Sequence, residues 1–88
     1  SGIYMAGSNG AIGSNAIYGP GSGTGIELGT NADNIPITGN GVYNHDVGID
    51  IPASTNDNTV VVGNALTTSV TTALSDTGTG TISLGNST

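Results

Sequence analysis

The chain has 88 residues with six acids, one His, no Lys or Arg and no Cys, for a net charge of −6. Without cations it has nothing to displace the counterions of a nucleic acid or to dock on an anionic membrane, so neither partner is expected. Its length allows one domain, no apolar run approaches a spanning length, and the absence of Cys removes both disulfides and a thiol nucleophile.

Residues 1–12 open with Gly2-Ile3-Tyr4-Met5, where Ile3 and Met5 alternate with Tyr4 as in a strand with one buried face. A turn at Gly7-Ser8-Asn9-Gly10 leads to Ala11-Ile12. Residues 13–38 hold Ser14-Asn15-Ala16-Ile17-Tyr18, then a loop from Gly19 through Pro20, Gly21, Ser22 and Gly23 to Thr24, then Gly25-Ile26-Glu27-Leu28. The loop is flexible in composition and is expected to protrude. Residues 39–62 repeat the plan: Gly39-Asn40-Gly41-Val42-Tyr43, a turn at Asn44-His45-Asp46, the run Val47-Gly48-Ile49-Asp50-Ile51, a polar stretch, and Val60-Val61-Val62. Residues 63–84 carry Gly63-Asn64-Ala65-Leu66 and a worn copy at Thr71-Thr72-Ala73-Leu74, with Thr frequent and Tyr lost. Residues 85–88 begin another unit at Gly85-Asn86.

Two ladders run through these units. Gly2, Gly25 and Gly48 are evenly spaced, and the same step taken once more reaches Thr71. Asn15, Asn40, Asn64 and Asn86 recur at nearly the same interval. Self-similarity at such a period marks stacked units, and no stretch has a helical period. Three short strands per unit imply an all-β fold: a parallel β-helix, or solenoid, of about three to four coils of 22–25 residues. The crossover rule makes it right-handed. Stacked Asn side chains at one turn would bond to each other and to backbone amides where the chain bends inward. Gly-Asn could instead mark hairpin turns, but a hairpin does not explain matched residues after each Asn. In the last strand of each coil, Val60 and Val62 pair with Ile82 and Leu84. Ile35 and Ile37 fall one residue out of phase, so a bulge or a shift is expected there. The chain starts in mid-coil with no polar cap, which predicts a segment of a longer chain or an end covered by another subunit.

On Gly-Asn-x-apolar-Tyr, on Gly-Ile-x-apolar and on Asp57-Asn58-Thr59-Val60-Val61-Val62-Gly63-Asn64, the chain resembles the parallel β-helix repeat family. That family includes pectate-lyase-like and polygalacturonase-like enzymes and the tailspikes and appendages of bacteriophages. The resemblance covers nearly the whole chain and is specific for fold, because these positions are structural in the family. It implies an extracellular or virion-surface location and, for a phage appendage, a homotrimer. Pectate-lyase-like enzymes use a basic residue to take a proton and to bind an acidic sugar, and this chain has no Lys or Arg.

If the flanking Ile and Leu point inward, Tyr4, Glu27 and Asp50 form an outward column. Glu27 and Asp50 then stand ~4.8 Å apart. Such a pair suits a retaining glycosidase or contributes to a Ca²⁺ site, although Ca²⁺ takes six to eight oxygens. The plainer account is two solvated strand residues that keep the surface polar, with a like-charge penalty. No other cofactor is implied. His45 lies in a polar turn near Asp50, either as an acid or base or merely solvated. Tyr18 and Tyr43, one coil apart, pack in the core or at a subunit interface, or stack outward as a platform for sugar. The functional expectation is a non-catalytic structural module of an extracellular or virion-surface protein, tailspike- or fibre-like, that supports glycan binding. The alternatives are a fragment of a secreted polysaccharide lyase or glycoside hydrolase, and an adhesin or self-stacking fibre.

Overall fold

The computed structural model describes residues 1–68 and 70–88. Its strands are β1 (Ile3–Met5), β2 (Ile12–Gly13), β3 (Ala16–Tyr18), β4 (Thr24–Leu28), β5 (Pro36–Thr38), β6 (Gly41–Tyr43), β7 (His45–Ile51), β8 (Val60–Val62), β9 (Val70–Asp76) and β10 (Ile82–Leu84). The chain visits three sheets in rotation. The first has the order β1-β4-β7-β9, the second β2-β5-β8-β10, and the third pairs β3 with β6. Bridges Gly41 to Ala65 and Ala65 to Ser87 continue the third sheet. Every strand pairing among the described residues is parallel. The result is a parallel β-solenoid of about three turns. None of these strands could hold a sheet alone. Each finds its partner only in the next coil, so the coils are stable together or not at all.

The core follows from superposed columns. Ile3 lies against Ile26, Ile26 against Ile49, and Ile49 against Leu74. Ile12, Ile37 and Val61 form a second column, and Ile17 and Val42 a third. Among these, Ile26, Ile37, Ile49, Val42 and Val61 are fully buried. The Gly that precedes each Ile has a steric cause. A Cβ on Gly25 would meet Val42 Cγ1 and stand 2.8 Å from the Gly48 carbonyl oxygen, and one on Gly48 would stand 2.6 Å from the Ala73 oxygen. The coils approach too closely at that bend for a side chain.

Two expectations are corrected. The fourth copy of the Gly-Ile ladder does not keep the step of the first three. Ile49 pairs with Leu74 and Asp50 with Ser75, two places beyond where an even step would fall. One extra residue lies in the polar stretch 52–59 and one in the bend after Leu66. A two-residue slip keeps every side chain on its face, which is why the apolar Leu74 pointed to the right strand in the wrong register. Second, no bulge or shift is needed in the second sheet. Val60 and Val62 do pair with Ile82 and Leu84, but these four face outward, and Val61 joins Ile37 in the core. Three consecutive Val have no alternation, so their phase was hidden. Ile35 has Thr59 beside it: the Val60 amide donates to the Ile35 carbonyl. Thr59 is fully buried and its hydroxyl has no partner.

The Asn ladder is continuous. Asn40 Oδ1 accepts from the backbone amide and from Nδ2 of Asn15, each at 3.0 Å. Asn64 Oδ1 accepts from the amide and Nδ2 of Asn40 at 2.9 and 3.0 Å. Asn86 Oδ1 does the same for Asn64 at 3.0 and 2.8 Å. The second Nδ2 hydrogens of Asn40, Asn64 and Asn86 go to the carbonyls of Ile12, Ile37 and Val61. The residues just before the four Asn, Ser14, Gly39, Gly63 and Gly85, have φ of 57°, 65°, 67° and 63°, the left-handed step that turns the chain into this corner. A second Asn ladder, not anticipated from the sequence, joins Asn9, Asn34 and Asn58 at another corner. Nδ2 of Asn34 donates to Asn9 Oδ1 at 3.0 Å and Nδ2 of Asn58 to Asn34 Oδ1 at 3.4 Å.

The last coil departs from the apolar pattern. Asp76 sits opposite Ile51, and Ser83 opposite Val61. Asp76 Oδ1 accepts from the Gly78 amide at 2.9 Å and from the Thr81 hydroxyl at 3.0 Å. Half-buried Ala73 and Leu74 flank the core at this end, as Ile3 and Met5 do at the other.

Two substitutions test the energetics. Asn40→Ala strands donors of Asn15 and the Ile12 carbonyl, and should lower stability by at least ~2 kcal/mol. That is roughly 8–16 °C in a thermal melt. Thr59→Val removes an unsatisfied buried hydroxyl at constant shape and should raise stability by about 1 kcal/mol. An unchanged or lower melting temperature for Thr59→Val would refute this account of the column.

Candidate functional site

The chemistry-bearing side chains fall on two parts of the surface. Glu27 and Asp50 stand in register on the outer face of the first sheet, with Tyr4 in the same column. Tyr4 is exposed, while Glu27 and Asp50 are half-buried. The outward column read from the sequence is therefore the one observed. Ser1 Oγ donates to Glu27 Oε1 at 2.7 Å. Partial burial raises the Asp50 carboxyl from its ordinary value; the hydrogen bond from Ser75 lowers it and the Glu27 charge raises it. Two carboxylates provide only part of a Ca²⁺ shell, and no group of three or more His, Asp or Glu converges among the described residues.

His45 is not where the sequence suggested. Asn44 alone forms the turn, and His45 is the first residue of β7, buried at 4% exposure. It is not near Asp50, which lies five residues further along the same strand, about 16 Å away. The imidazole is wedged between two glycines. A Cβ on Gly19 would collide with Nε2, and one on Gly25 would stand 3.5 Å from Nδ1. Nδ1 is sealed from solvent and has no hydrogen-bond partner. A solvated turn residue was expected because its neighbours are polar. The glycines at 19 and 25 were the available signal that a ring packs between them.

Tyr18 and Tyr43 face outward, not into the core. They stand in register on the third sheet and stack, with ring centroids 4.8 Å apart and planes inclined by 24°. Tyr18 is 78% exposed. The small residue two places earlier makes this possible. Ala16 and Gly41 are in register, and a Cβ on Gly41 would meet the Tyr43 hydroxyl. The ring lies across the space that a larger side chain would fill.

Beside Tyr18 the loop after β3 forms one wall of an open cavity of about 390 Å³, bordered also by His45 and by Ser1 and Gly2, the first residues of the chain. The loop does not hang free. The amides of Gly19 and Gly21 donate to the carbonyls of Tyr43 and Asn44, and Asn44 Nδ2 returns a bond to the Gly19 carbonyl at 2.8 Å. The Gly23 carbonyl accepts from the amides of Asp46 and Val47. A flexible composition is thus pinned at both ends by the next coil. Neither Glu27 nor Asp50 borders the cavity. Of the residues singled out beforehand, Tyr18, Tyr43 and His45 come together, Glu27 and Asp50 form a separate pair, and the Asn column is structural. Ser22 and Thr24 were not foreseen as part of a site.

Comparison of the chain with protein-family models, with curated proteins and with solved structures finds no match. What the site does has to be read from its own chemistry.

The raised Asp50 gives a pH test. A carboxyl whose folded pKa lies above its unfolded value binds more protons when folded. Its contribution is fully present below the unfolded pKa and is lost as pH rises through the folded value. Asp50→Asn should therefore melt higher than the parent at pH 7, by roughly 2–4 °C if the opposed charges cost about 0.5 kcal/mol. The difference should shrink toward pH 3.5. A difference that grows on acidification would show that the pair is stabilising.

Proposed function

We propose that this solenoid is a non-catalytic structural module of an extracellular or virion-surface protein of the tailspike or fibre kind, and that it contributes a glycan contact through the Tyr18–Tyr43 face. The outward Tyr stack carries the reading. An aromatic pair held in register by a hydrogen-bonded ladder presents rings at fixed spacing with little entropy left to lose on binding. Aromatic faces pack on the C–H faces of sugar rings, and the phenol hydroxyls add polar contacts. The absence of Lys and Arg argues against nucleic acid, anionic lipid and strongly acidic polymers as ligands. The outward strip of Val60, Val62, Ile82 and Leu84 supports a homo-oligomer, a trimer by the family resemblance. Ile82 and Leu84 are 51% and 63% exposed, more than an isolated surface usually leaves to large aliphatic side chains in a row.

The second reading, a fragment of a polysaccharide-cleaving enzyme, is favoured by one observation. Glu27 and Asp50 are in register one strand spacing apart, ~4.8 Å, close to the spacing that retaining glycosidases use, and burial raises Asp50. Against it, the pair lies on an open sheet face away from the cavity, where water competes for every hydrogen bond.

The discriminating measurement is binding of neutral polysaccharides to the chain, followed by calorimetry or by Tyr fluorescence. Tyr18→Ala and Tyr43→Ala should each weaken binding about tenfold while the fold is retained, equivalent to ~1.4 kcal/mol. Glu27→Gln and Asp50→Asn should leave binding unchanged and reveal no turnover. Hydrolysis that disappears in either carboxylate variant would replace this reading with the enzymatic one.

A further inference from the structure

We infer that Gly41 is the positioning residue of the Tyr platform: its missing side chain is the seat on which the Tyr43 ring lies, and that seat holds Tyr43 in its stack with Tyr18. This rests on the glycan reading of the Tyr face and names the residue that sets the geometry of that face.

A Gly inside a strand weakens it, so its place in β6 needs a cause. Two common causes are absent. The left-handed step at this corner belongs to Gly39, with φ of 65°, and Gly41 has no positive φ. Nor is the backbone crowded, as it is at Gly25 and Gly48, where an added Cβ would stand 2.8 and 2.6 Å from a carbonyl oxygen of the next coil. At Gly41 the three atoms nearest to an added Cβ all belong to Tyr43: the hydroxyl oxygen, Cζ at 2.8 Å and Cε2 at 2.9 Å. The flanking coils make the same point. Ala16 lies in register on one side and Ala65 on the other, so the sheet accepts a methyl group at this place. What a side chain on Gly41 would displace is the Tyr43 ring.

Residues 41 and 43 share the outer face, because side chains alternate along a strand. The Tyr43 ring leans back along its own strand until its hydroxyl edge rests on the Gly41 backbone, and it is half-buried although it faces outward. Tyr18 has Ala16 at the corresponding place, so the two rings have unequal seats, and their planes are inclined by 24°. A ring held by a seat under its far edge as well as by a stacked neighbour is confined to one rotamer. Such confinement leaves less freedom to lose when a ligand docks. A side chain at 41 would lift the ring out of that rotamer and away from Tyr18.

The test compares Gly41→Ala, Gly41→Val and Tyr43→Ala with the parent chain. The readouts are NMR contacts between the two Tyr rings, the melting temperature, and binding of soluble dextran and galactomannan. Gly41→Ala should melt no lower than the parent, since both neighbouring coils carry Ala here and the unfolded chain loses freedom. Both Gly41 variants should lose ring contacts between Tyr18 and Tyr43, Val the more completely. Gly41→Val should weaken binding about tenfold, as Tyr43→Ala does. The double variant Gly41→Val, Tyr43→Ala should bind no more weakly than Tyr43→Ala, because a residue that acts only through Tyr43 has nothing left to act on. Gly41→Ala carries the ring-contact test if Gly41→Val fails to fold. Persistent ring contacts, a lower melting temperature for Gly41→Ala, or additive losses in the double variant each overturn the assignment. So does full binding by Gly41→Val where Tyr43→Ala binds weakly. If neither polysaccharide binds the parent, or Tyr43→Ala binds as well as the parent, the glycan reading fails, and the ring contacts and melting temperature still decide the seat.

Discussion

The structure depends on one constraint: a chain that turns inward three times per coil must satisfy its buried backbone groups at each corner. Sheets do this along their ladders, but corners have no ladder of their own. At the Asn40 corner the solution is an amide side chain with two donors and one acceptor, placed identically in every coil. Each Asn oxygen takes two hydrogens from the residue below, and the remaining Nδ2 hydrogen reaches an otherwise unpaired carbonyl such as that of Ile12 or Ile37. The network is complete only if successive coils superpose to within a hydrogen bond. Such a network fixes register far more sharply than aliphatic contact, which tolerates a slip by two residues. Gly or Ser in the left-handed region immediately before each Asn is the backbone half of the same device.

This division of labour explains how coil length varies without loss of register. The spacing of the Asn column shortens along the chain, from Asn15–Asn40 to Asn64–Asn86, while that of the Ile column lengthens at its last step, from Ile49 to Leu74. Neither is constant because insertions are confined to corners and stretches between the anchored strands. Surface segments accommodate added residues cheaply. The last coil shows the other side of the same logic. Asp76 and Ser83 occupy columns that are apolar below them. A carboxylate that caps Gly78 and Thr81 is stable facing water.

How much of this was legible depended on whether a residue's role was periodic. The Asn ladder, the Ile columns and the outward alignment of Glu27 with Asp50 repeat from coil to coil, so matching residues exposed them. Val60-Val61-Val62 repeats nothing internally, and its inward member emerged only from the pairing with Ile37. Asn34 and Asn58 lie in stretches of Asn and Asp that read as generic turn composition, so their ladder was invisible without coordinates. His45 failed for a different reason. Local polarity predicts exposure, but burial there is decided by Gly19 and Gly25, which are distant in sequence and belong to the preceding coil. The Tyr pair was ambiguous because a buried and an exposed stack produce the same spacing. Only the small residues at 16 and 41, which leave room for rings on the outer face, favoured the exposed one.

The candidate site then follows from the constraint rather than standing apart from it. Because the Asn corner and the three sheets hold the coils in register, a departure from the repeat cannot propagate and must be absorbed where it arises. The two-residue excess after Tyr18 is such a departure. It cannot push the coils apart, since Gly19, Gly21 and Gly23 are bonded to the next coil, and so it arches outward. The arch borders a cavity together with Tyr18, His45, Ser1 and Gly2. In a solenoid most inward positions are committed to stacking, so side chains free to meet a ligand lie on the outer faces and where the repeat is broken. The longest break at this corner lies next to the one aromatic stack among the described residues, so the irregular arch and the most regular outward column share one edge of the molecule.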